Sequence, residues 1–120
     1  MTLRKQVRAI AASYFPRWKQ GALWRVRSRS RRHVNGYCDL DRRVIEIVRY
    51  DGPDARDGFL IHEICHAVGS GHHGRRWQRR MAMAADRAAT LGRPGLAKLL
   101  RPEVDEYRVQ PERSGHADVY

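Results

Sequence analysis

The sequence feature that most constrains this chain is a pair of histidines four residues apart, His62 and His66, with Glu63 directly after the first. On an α-helix, residues four apart lie one turn above each other on the same face. His62 and His66 can therefore present two imidazole nitrogens to one metal ion. Glu63 lies about 100° further round the helix, where its carboxylate can accept a proton from water that the metal activates. This HExxH spacing predicts a catalytic zinc site.

The segment around the two histidines is predicted to form a buried helix over about residues 55 to 68. Pro53 breaks the preceding segment, Asp54 is a suitable N-cap, and apolar residues occupy almost every face of the helix. Without a metal ion, two histidines and a glutamate on such a helix would be costly polar groups in the core. Burial therefore favours a metal site over histidines that bond only to backbone partners.

A catalytic zinc needs a third protein ligand and an open coordination position, and two adjacent histidines could supply that ligand. His72 completes the pattern HExxHxxGxxH, which is the spacing of the metzincin peptidases, with Gly69 at the turning point. His73 completes a different pattern, His-Gly-x-x-Trp, followed by Met81. We favour His73 as the third ligand, with His72 as the alternative third ligand.

With His73 as a ligand, the chain resembles the SprT-like (Spartan-type) family of zinc metallopeptidase domains over about residues 20 to 92. Segments 36–39 and 43–47 look like the hairpin strands that precede the active-site helix in that family, and the residues from Trp77 onward look like its following helix. The resemblance implies a Zn²⁺-dependent endopeptidase that cleaves proteins crosslinked or bound to DNA, which is a DNA-repair activity. The cysteine-rich zinc ribbon that several family members carry is absent from this sequence.

The predicted fold is α+β and zincin-like, in one SprT-like domain over residues 1–102. It comprises an N-terminal helix (2–15), a small, mainly antiparallel three-stranded sheet (22–31, 33–38 and 44–50), the HExxH helix and a second packed helix (75–91). The apolar stripe of the second helix is expected to be core that backs the metal site, and consists of Trp77, Met81, Ala84, Ala88 and Leu91. Residues 103–120 are polar and are expected to form an extended or partly disordered tail.

The chain is strongly basic, with 24 Lys and Arg against 13 Asp and Glu, a formal net charge of +11. Its first 38 residues contain ten basic side chains and no acidic one. An uneven basic distribution is typical of nucleic-acid binding, although a solvated basic surface is the simpler alternative. The arginines that we predict to contact DNA are Arg25, Arg27, Arg29, Arg31 and Arg32 near the first strand, and Arg75, Arg76, Arg79 and Arg80 on the second helix.

Hydropathy and the two cysteines indicate the cellular compartment that we expect for this chain. No apolar stretch approaches the roughly 18 residues of a membrane span, and the N-terminal segment does not have the pattern of a signal peptide. Cys38 and Cys65 form no C-x-x-C pair and are interpreted as free thiols in a reducing cytoplasm, where association with the nucleoid is compatible with the charge. We expect a monomer that acts on a protein substrate and contacts DNA.

Two alternative functions fit the same residues. One is a metzincin-like peptidase that uses His72 and has no nucleic-acid role. The other is a non-catalytic nucleic-acid-binding protein with a closed structural zinc site, for instance one with His62, His66, His72 and His73 as its four ligands.

Overall fold

Four helices and a three-stranded sheet make up the part of the chain that the computed structural model describes, residues 2–18, 24–28, 36–47, 50–68 and 73–107. The α+β class predicted from the sequence is confirmed. In chain order the elements are α1 (Leu3–Tyr14), β1 (Arg25–Ser28), β2 (Gly36–Asp39), β3 (Val44–Ile47), α2 (Gly52–Val68), α3 (Arg75–Thr90) and α4 (Pro94–Tyr107). None of the described helices is both long enough and apolar enough to cross a membrane.

The sheet is mixed, whereas the sequence led us to expect a mainly antiparallel one. β3 is the central strand, antiparallel to β2 and parallel to β1. The β2–β3 hairpin follows from its tight turn, in which the Asp39 carboxylate accepts a hydrogen bond from the backbone N–H of Arg42 at 3.0 Å. The turn ends at Arg43, whose φ of 55° lies in the left-handed region. Because β2 occupies one side of β3, β1 pairs with the other side, and there the strands run in the same direction.

α1 and β1 present one apolar side each to the core, as their sequence patterns predict. The α1 N-cap is Thr2, whose side chain accepts a hydrogen bond from the backbone N–H of Lys5, and Val7 and Ile10 are buried. Trp24, just before β1, is buried, while Arg25 and Arg27 on that strand are exposed. α1 therefore covers the β1 side of the sheet and the start of α2.

α2 is the central helix, and it begins at Gly52, before the predicted start. Asp54 consequently lies inside the first turn and is not the N-cap. The side chains from Leu60 to His66 are all buried, which agrees with the apolar character of nearly all faces of this helix. The polar groups of the HExxH motif are therefore held in the core by the packing of their apolar neighbours.

α3 buries its predicted apolar stripe between α4 and α2, with one exception. The stripe residues Trp77, Met81, Ala84 and Ala88 are buried, but Leu91 is 42% exposed. Leu91 is not a core residue because α3 ends at Thr90 and the chain turns away through Gly92, whose φ is +75°.

α4 corrects the expectation that the chain becomes extended from Glu103 onward. The helix continues through Pro102 to Tyr107, so the first five residues of the predicted polar tail are helical. A proline inside a helix removes one backbone hydrogen bond and typically costs about 3 kcal/mol. Burial of Leu96, Leu100 and Val104, which follow one another every four residues, offsets that loss across the proline. Residues 108–120 lie outside the described part of the chain.

Candidate metal centre

Three histidines from two segments converge beside α2. His62 and His66 lie one turn apart on α2, and His73 lies just before α3. One ligand nitrogen from each ring lies within 4.8 Å of the others, close enough for the three residues to bind one metal ion. The cluster is secluded from solvent, since His62 and His66 are buried and His73 is partly buried. The structure thus brings together the three ligands that the sequence favours.

The spacing of the nitrogens is consistent with a metal site. Nε2 of His62 lies 3.1 Å from Nε2 of His73. Two ligands of a tetrahedral ion with metal–nitrogen bonds of about 2.0–2.1 Å lie about 3.3 Å apart. An N–H···N hydrogen bond could also bridge one pair of rings. His66 belongs to the same cluster, because its ring centroid lies 5.3 Å from that of His62 and 4.8 Å from that of His73. The residues present therefore fit a metal ion.

Trp77 forms a wall against which all three imidazole rings pack. Its ring centroid lies 4.8 Å from that of His62, 5.7 Å from that of His66 and 4.5 Å from that of His73. Its indole N–H donates a hydrogen bond to the backbone carbonyl of His62 at 3.2 Å. Trp77 thereby joins α3 to the ligand-bearing turn of α2, and the predicted role of the stripe as backing for the site is confirmed for this residue.

Glu103 is a residue of the site that the sequence reasoning missed. One carboxylate oxygen, Oε2, lies 3.0 Å from Nδ1 of His62, on the opposite side of the ring from Nε2. From the sequence, Glu103 is expected in the polar tail, because the chain turns polar directly after Pro102. The four-residue spacing of Leu96, Leu100 and Val104 was the available signal, since it continues across the proline and would have placed Glu103 on a packed helix.

Glu63 is buried next to the ligands without the partners that a buried carboxylate needs. It is 2% exposed, and its Oε1 atom has no hydrogen-bond partner among the residues that the structure describes. Burial raises the pKa of the Glu63 carboxyl well above its ordinary value, and the nearby charge of Glu103 raises it further. An orphaned, buried carboxylate is rare in folded proteins and points to a group that awaits a ligand, an ion or water.

The two cysteines are free, as predicted, and lie close to the site without joining the ligand cluster. Burial raises the pKa of the Cys38 and Cys65 thiols well above the ordinary value. Strand β2, which carries Cys38, packs against α2, and the charge of Glu63 raises the pKa of the Cys38 thiol further. Thiols that resist ionisation are poor nucleophiles and poor metal ligands, which leaves the histidines as the donor set.

The arginines predicted to contact nucleic acid are only partly described. Arg25, Arg27, Arg75, Arg76 and Arg79 are exposed and Arg80 is partly buried, whereas Arg29, Arg31, Arg32 and the alternative ligand His72 lie outside the described residues. Arg27 has a structural task as well, because its Nε lies 3.6 Å from a carboxylate oxygen of the buried Glu46. The described arginines thus occupy two separate elements, β1 and α3.

The chain matches no protein-family model, no curated protein and no solved structure. The resemblance to the SprT-like family accordingly stays a prediction from sequence motifs. The structure itself provides a buried three-histidine cluster that can bind a metal ion, an aromatic wall behind it, and two carboxylates beside it.

Proposed function

We propose that the protein is a zinc-dependent endopeptidase, resembling the SprT-like family, that cleaves proteins on or near DNA. The observation that carries the proposal is the buried Glu63 carboxylate, which has an oxygen without a hydrogen-bond partner in the described chain and follows a histidine of the three-histidine cluster. A closed structural zinc site would explain the histidines and would leave Glu63 without a task.

His62, His66 and His73 are the residues that would hold the ion. Imidazole nitrogen is a ligand that zinc favours. Catalytic zinc sites typically have three protein ligands and one open coordination position. When bound, zinc supplies a Lewis acid that polarises a carbonyl group and makes water more acidic. Trp77 keeps the three rings in place through its ring contacts and its hydrogen bond to the His62 backbone.

Glu63 supplies the acid–base chemistry. Its Oε1 accepts the proton of the water that attacks the scissile carbonyl carbon, and the same carboxyl then donates that proton to the departing amine nitrogen. A carboxylate whose pKa is raised by burial is a stronger base than an exposed one, so it accepts the proton of the attacking water more readily.

Strand β2 is the element best placed to hold an extended substrate peptide. It lies at one edge of the described sheet and packs against α2, the helix that carries Glu63. A peptide that pairs with a sheet edge is bound through its backbone and not through a particular side chain. Such binding suits an endopeptidase that acts on unfolded or exposed segments of varied sequence.

The charge of the chain supports nucleic acid as the place of action. A net charge of +11 and exposed arginines on β1 and α3 favour contact with phosphates. Replacing Arg75, Arg76, Arg79 and Arg80 together with glutamine should flatten the dependence of DNA affinity on salt concentration, because fewer counterions are released on binding. An unchanged slope in a fluorescence anisotropy titration would remove α3 from the DNA contact.

The decisive experiment is hydrolysis of a DNA-binding test protein by the zinc-loaded chain, with and without single-stranded DNA, for wild type and Glu63→Gln. Glu63→Gln keeps the three ligands and removes the base, so it should bind zinc and lose at least about 100-fold in rate. Cleavage that requires DNA and is lost in the variant supports the whole proposal. Cleavage without any effect of DNA retains the peptidase and removes the DNA role. Absence of cleavage by a zinc-loaded protein overturns the enzymatic proposal.

A further inference from the structure

We infer that Glu103, on α4, is a positioning residue for the metal centre, and that it fixes the His62 ring in the form and orientation that a metal ion requires. The inference depends on the metal-binding part of the proposed function and not on the peptidase chemistry. It assigns a task in the site to a residue 41 positions after His62, on a helix that none of the ligands occupies.

The His62 ring is held at both of its nitrogens. Nδ1 lies 3.0 Å from Oε2 of Glu103, and Nε2 faces the other ligands, 3.1 Å from Nε2 of His73. A carboxylate can only accept a hydrogen bond, so the proton of a neutral imidazole in this contact is on Nδ1. Nε2 then carries the free lone pair, and it points into the histidine cluster. The contact therefore selects the tautomer that binds a metal, and the negative charge behind the ring makes Nε2 a stronger donor.

The position of Glu103 follows from contacts that the chain makes with α2 before this residue. At the start of this helix, Arg93 donates hydrogen bonds to Asp54 at 2.8 Å and to Asp57 at 2.7 Å in the first turns of α2. Further along, Leu96 lies next to Gly58, and Glu103 reaches His62. Residues with higher numbers at and after the start of α4 thus contact residues with higher numbers on α2. The two helices therefore run side by side in the same direction.

A purely structural role for the same contact makes different predictions. As a surface ion pair that only attaches α4, the Glu103–His62 contact would contribute to stability and leave metal affinity unaffected. Glu103 is 32% exposed, and ion pairs that are open to solvent typically contribute little to stability. The two roles can be separated by measuring metal affinity and ring tautomer independently of folding stability.

The first measurement is zinc affinity of the full chain by competition with a chromophoric chelator. Glu103→Ala should weaken binding about 10- to 100-fold, as loss of the hydrogen-bond partner of a metal-bound histidine generally does. Glu103→Gln should recover part of that loss, because its side-chain carbonyl oxygen still accepts from Nδ1–H while the charge is gone. Glu106→Gln is the matched control: it removes the same charge from the exposed Glu106 on the same turn, and should bind zinc like wild type.

The second measurement is the tautomer of His62 in the metal-free protein, read from ¹⁵N chemical shifts and assigned by its loss in His62→Gln. Wild type should show the proton on Nδ1, and Glu103→Ala should show a mixture or a proton on Nε2. The inference is overturned if a folded Glu103→Ala binds zinc within about threefold of wild type, or keeps the wild-type tautomer. If Glu103→Ala does not fold, the isosteric Glu103→Gln decides, and equal zinc affinity of Glu103→Gln and Glu106→Gln overturns the charge effect.

These outcomes are distinct from failure of the proposed function. A wild-type protein that binds zinc and hydrolyses nothing would refute the peptidase while leaving the Glu103 result intact. A wild-type protein that binds no zinc would overturn the metal centre, and the inference with it.

Discussion

α2 carries buried carboxylates toward both of its ends, and the two differ in what surrounds them. Near the start of the helix, Asp57 is 1% exposed and accepts hydrogen bonds from Gln6 at 3.0 Å, Arg56 at 2.9 Å and Arg93 at 2.7 Å. Toward the other end, Glu63 is equally buried, yet its Oε1 has no hydrogen-bond partner in the described chain. The same helix therefore holds one carboxylate with a full set of donors and one without.

The two carboxylates differ in their hydrogen-bond partners and not in burial, and that difference separates an acid with a structural task from the one that we propose to be functional. Asp57 needs nothing from outside the protein, and its donors come from α1, α2 and the segment between α3 and α4, which it joins. Glu63 is an unfavourable group in the metal-free protein and becomes useful only with a ligand beside it. Four predictions follow this contrast from the largest expected effect to the smallest.

Removing a metal ligand should have the largest effect. His73→Ala should weaken zinc binding about 100- to 1,000-fold, because a zinc-binding free energy of about 10–16 kcal/mol is shared among three or four ligands. His72→Ala is the comparison variant and should bind zinc like wild type. Competition with a chelator measures both. The reverse result would make His72 the third ligand and would refute the grouping of His62, His66 and His73.

Removing Arg93, which donates the shortest of the three hydrogen bonds to Asp57, should have the second-largest effect. Arg93→Ala leaves Asp57 buried with only two of its three partners, and should lower the free energy of unfolding by about 2–4 kcal/mol in a urea titration. Asp54→Ala removes the other, more exposed partner of Arg93 and should lower it by less than about 1 kcal/mol. Equal losses in the two variants would show that burial of Asp57 is not the source of the effect.

Neutralising Glu63 should change the free energy of unfolding in the opposite direction and stabilise the protein. At about pH 8 and without metal, Glu63→Gln should raise the free energy of unfolding by about 1–2 kcal/mol, because the wild type must either bury a charge whose Oε1 has no donor in the described chain or take up a proton when it folds. The raised pKa of Glu63 means that folding favours the protonated form, so the wild type recovers this difference as the pH falls toward the ordinary value for glutamic acid. Thermal unfolding at several pH values measures the trend. A difference that grows toward acid pH would contradict it.

A change far from both carboxylates should have the smallest effect. Arg43 has a φ of 55° in the β2–β3 turn, and glycine adopts that conformation without strain. Arg43→Gly should raise stability by about 0.5 kcal/mol, since relief of strain is partly offset by the greater freedom of glycine in the unfolded chain. Zinc affinity should not change. If zinc affinity changed in this variant, a distant change in folding stability would be enough to alter zinc binding. Effects on zinc affinity could then not be attributed to particular residues of the site.

The sequence predicted the parts of the fold and of the site that depend on local spacing. The four-residue separation of His62 and His66, the apolar faces of α1 and α3, and the Asp39 turn all follow from periodicity or turn chemistry within a few residues. His73 followed from a motif in the next segment, and the structure groups it with the other two ligands.

What the sequence did not predict depends on contacts between distant residues. Nothing near Arg93 indicates that its partners are Asp54 and Asp57, and no local pattern in β1 indicates that it pairs in parallel with β3. Glu103 was missed because the polar composition after Pro102 predicts an extended tail, whereas packing keeps α4 helical as far as Tyr107. A prediction from local sequence was wrong where burial in the folded protein offset a locally unfavourable residue, as it does at Pro102.

The proline in α4 has a thermodynamic consequence for the proposed metal centre. Pro102 has no backbone N–H, so the final segment of α4, residues 103–107, is joined to the preceding turn by one hydrogen bond fewer. We expect this segment to open more readily than the rest of the helix. If the ion binds more tightly when Glu103 contacts His62, then binding of the ion must also favour the closed form of this segment. By linkage, closing raises the metal affinity by the same factor by which the metal raises the closing equilibrium constant. Amide hydrogen exchange over residues 103–107 would then report metal occupancy from a helix that contributes no ligand.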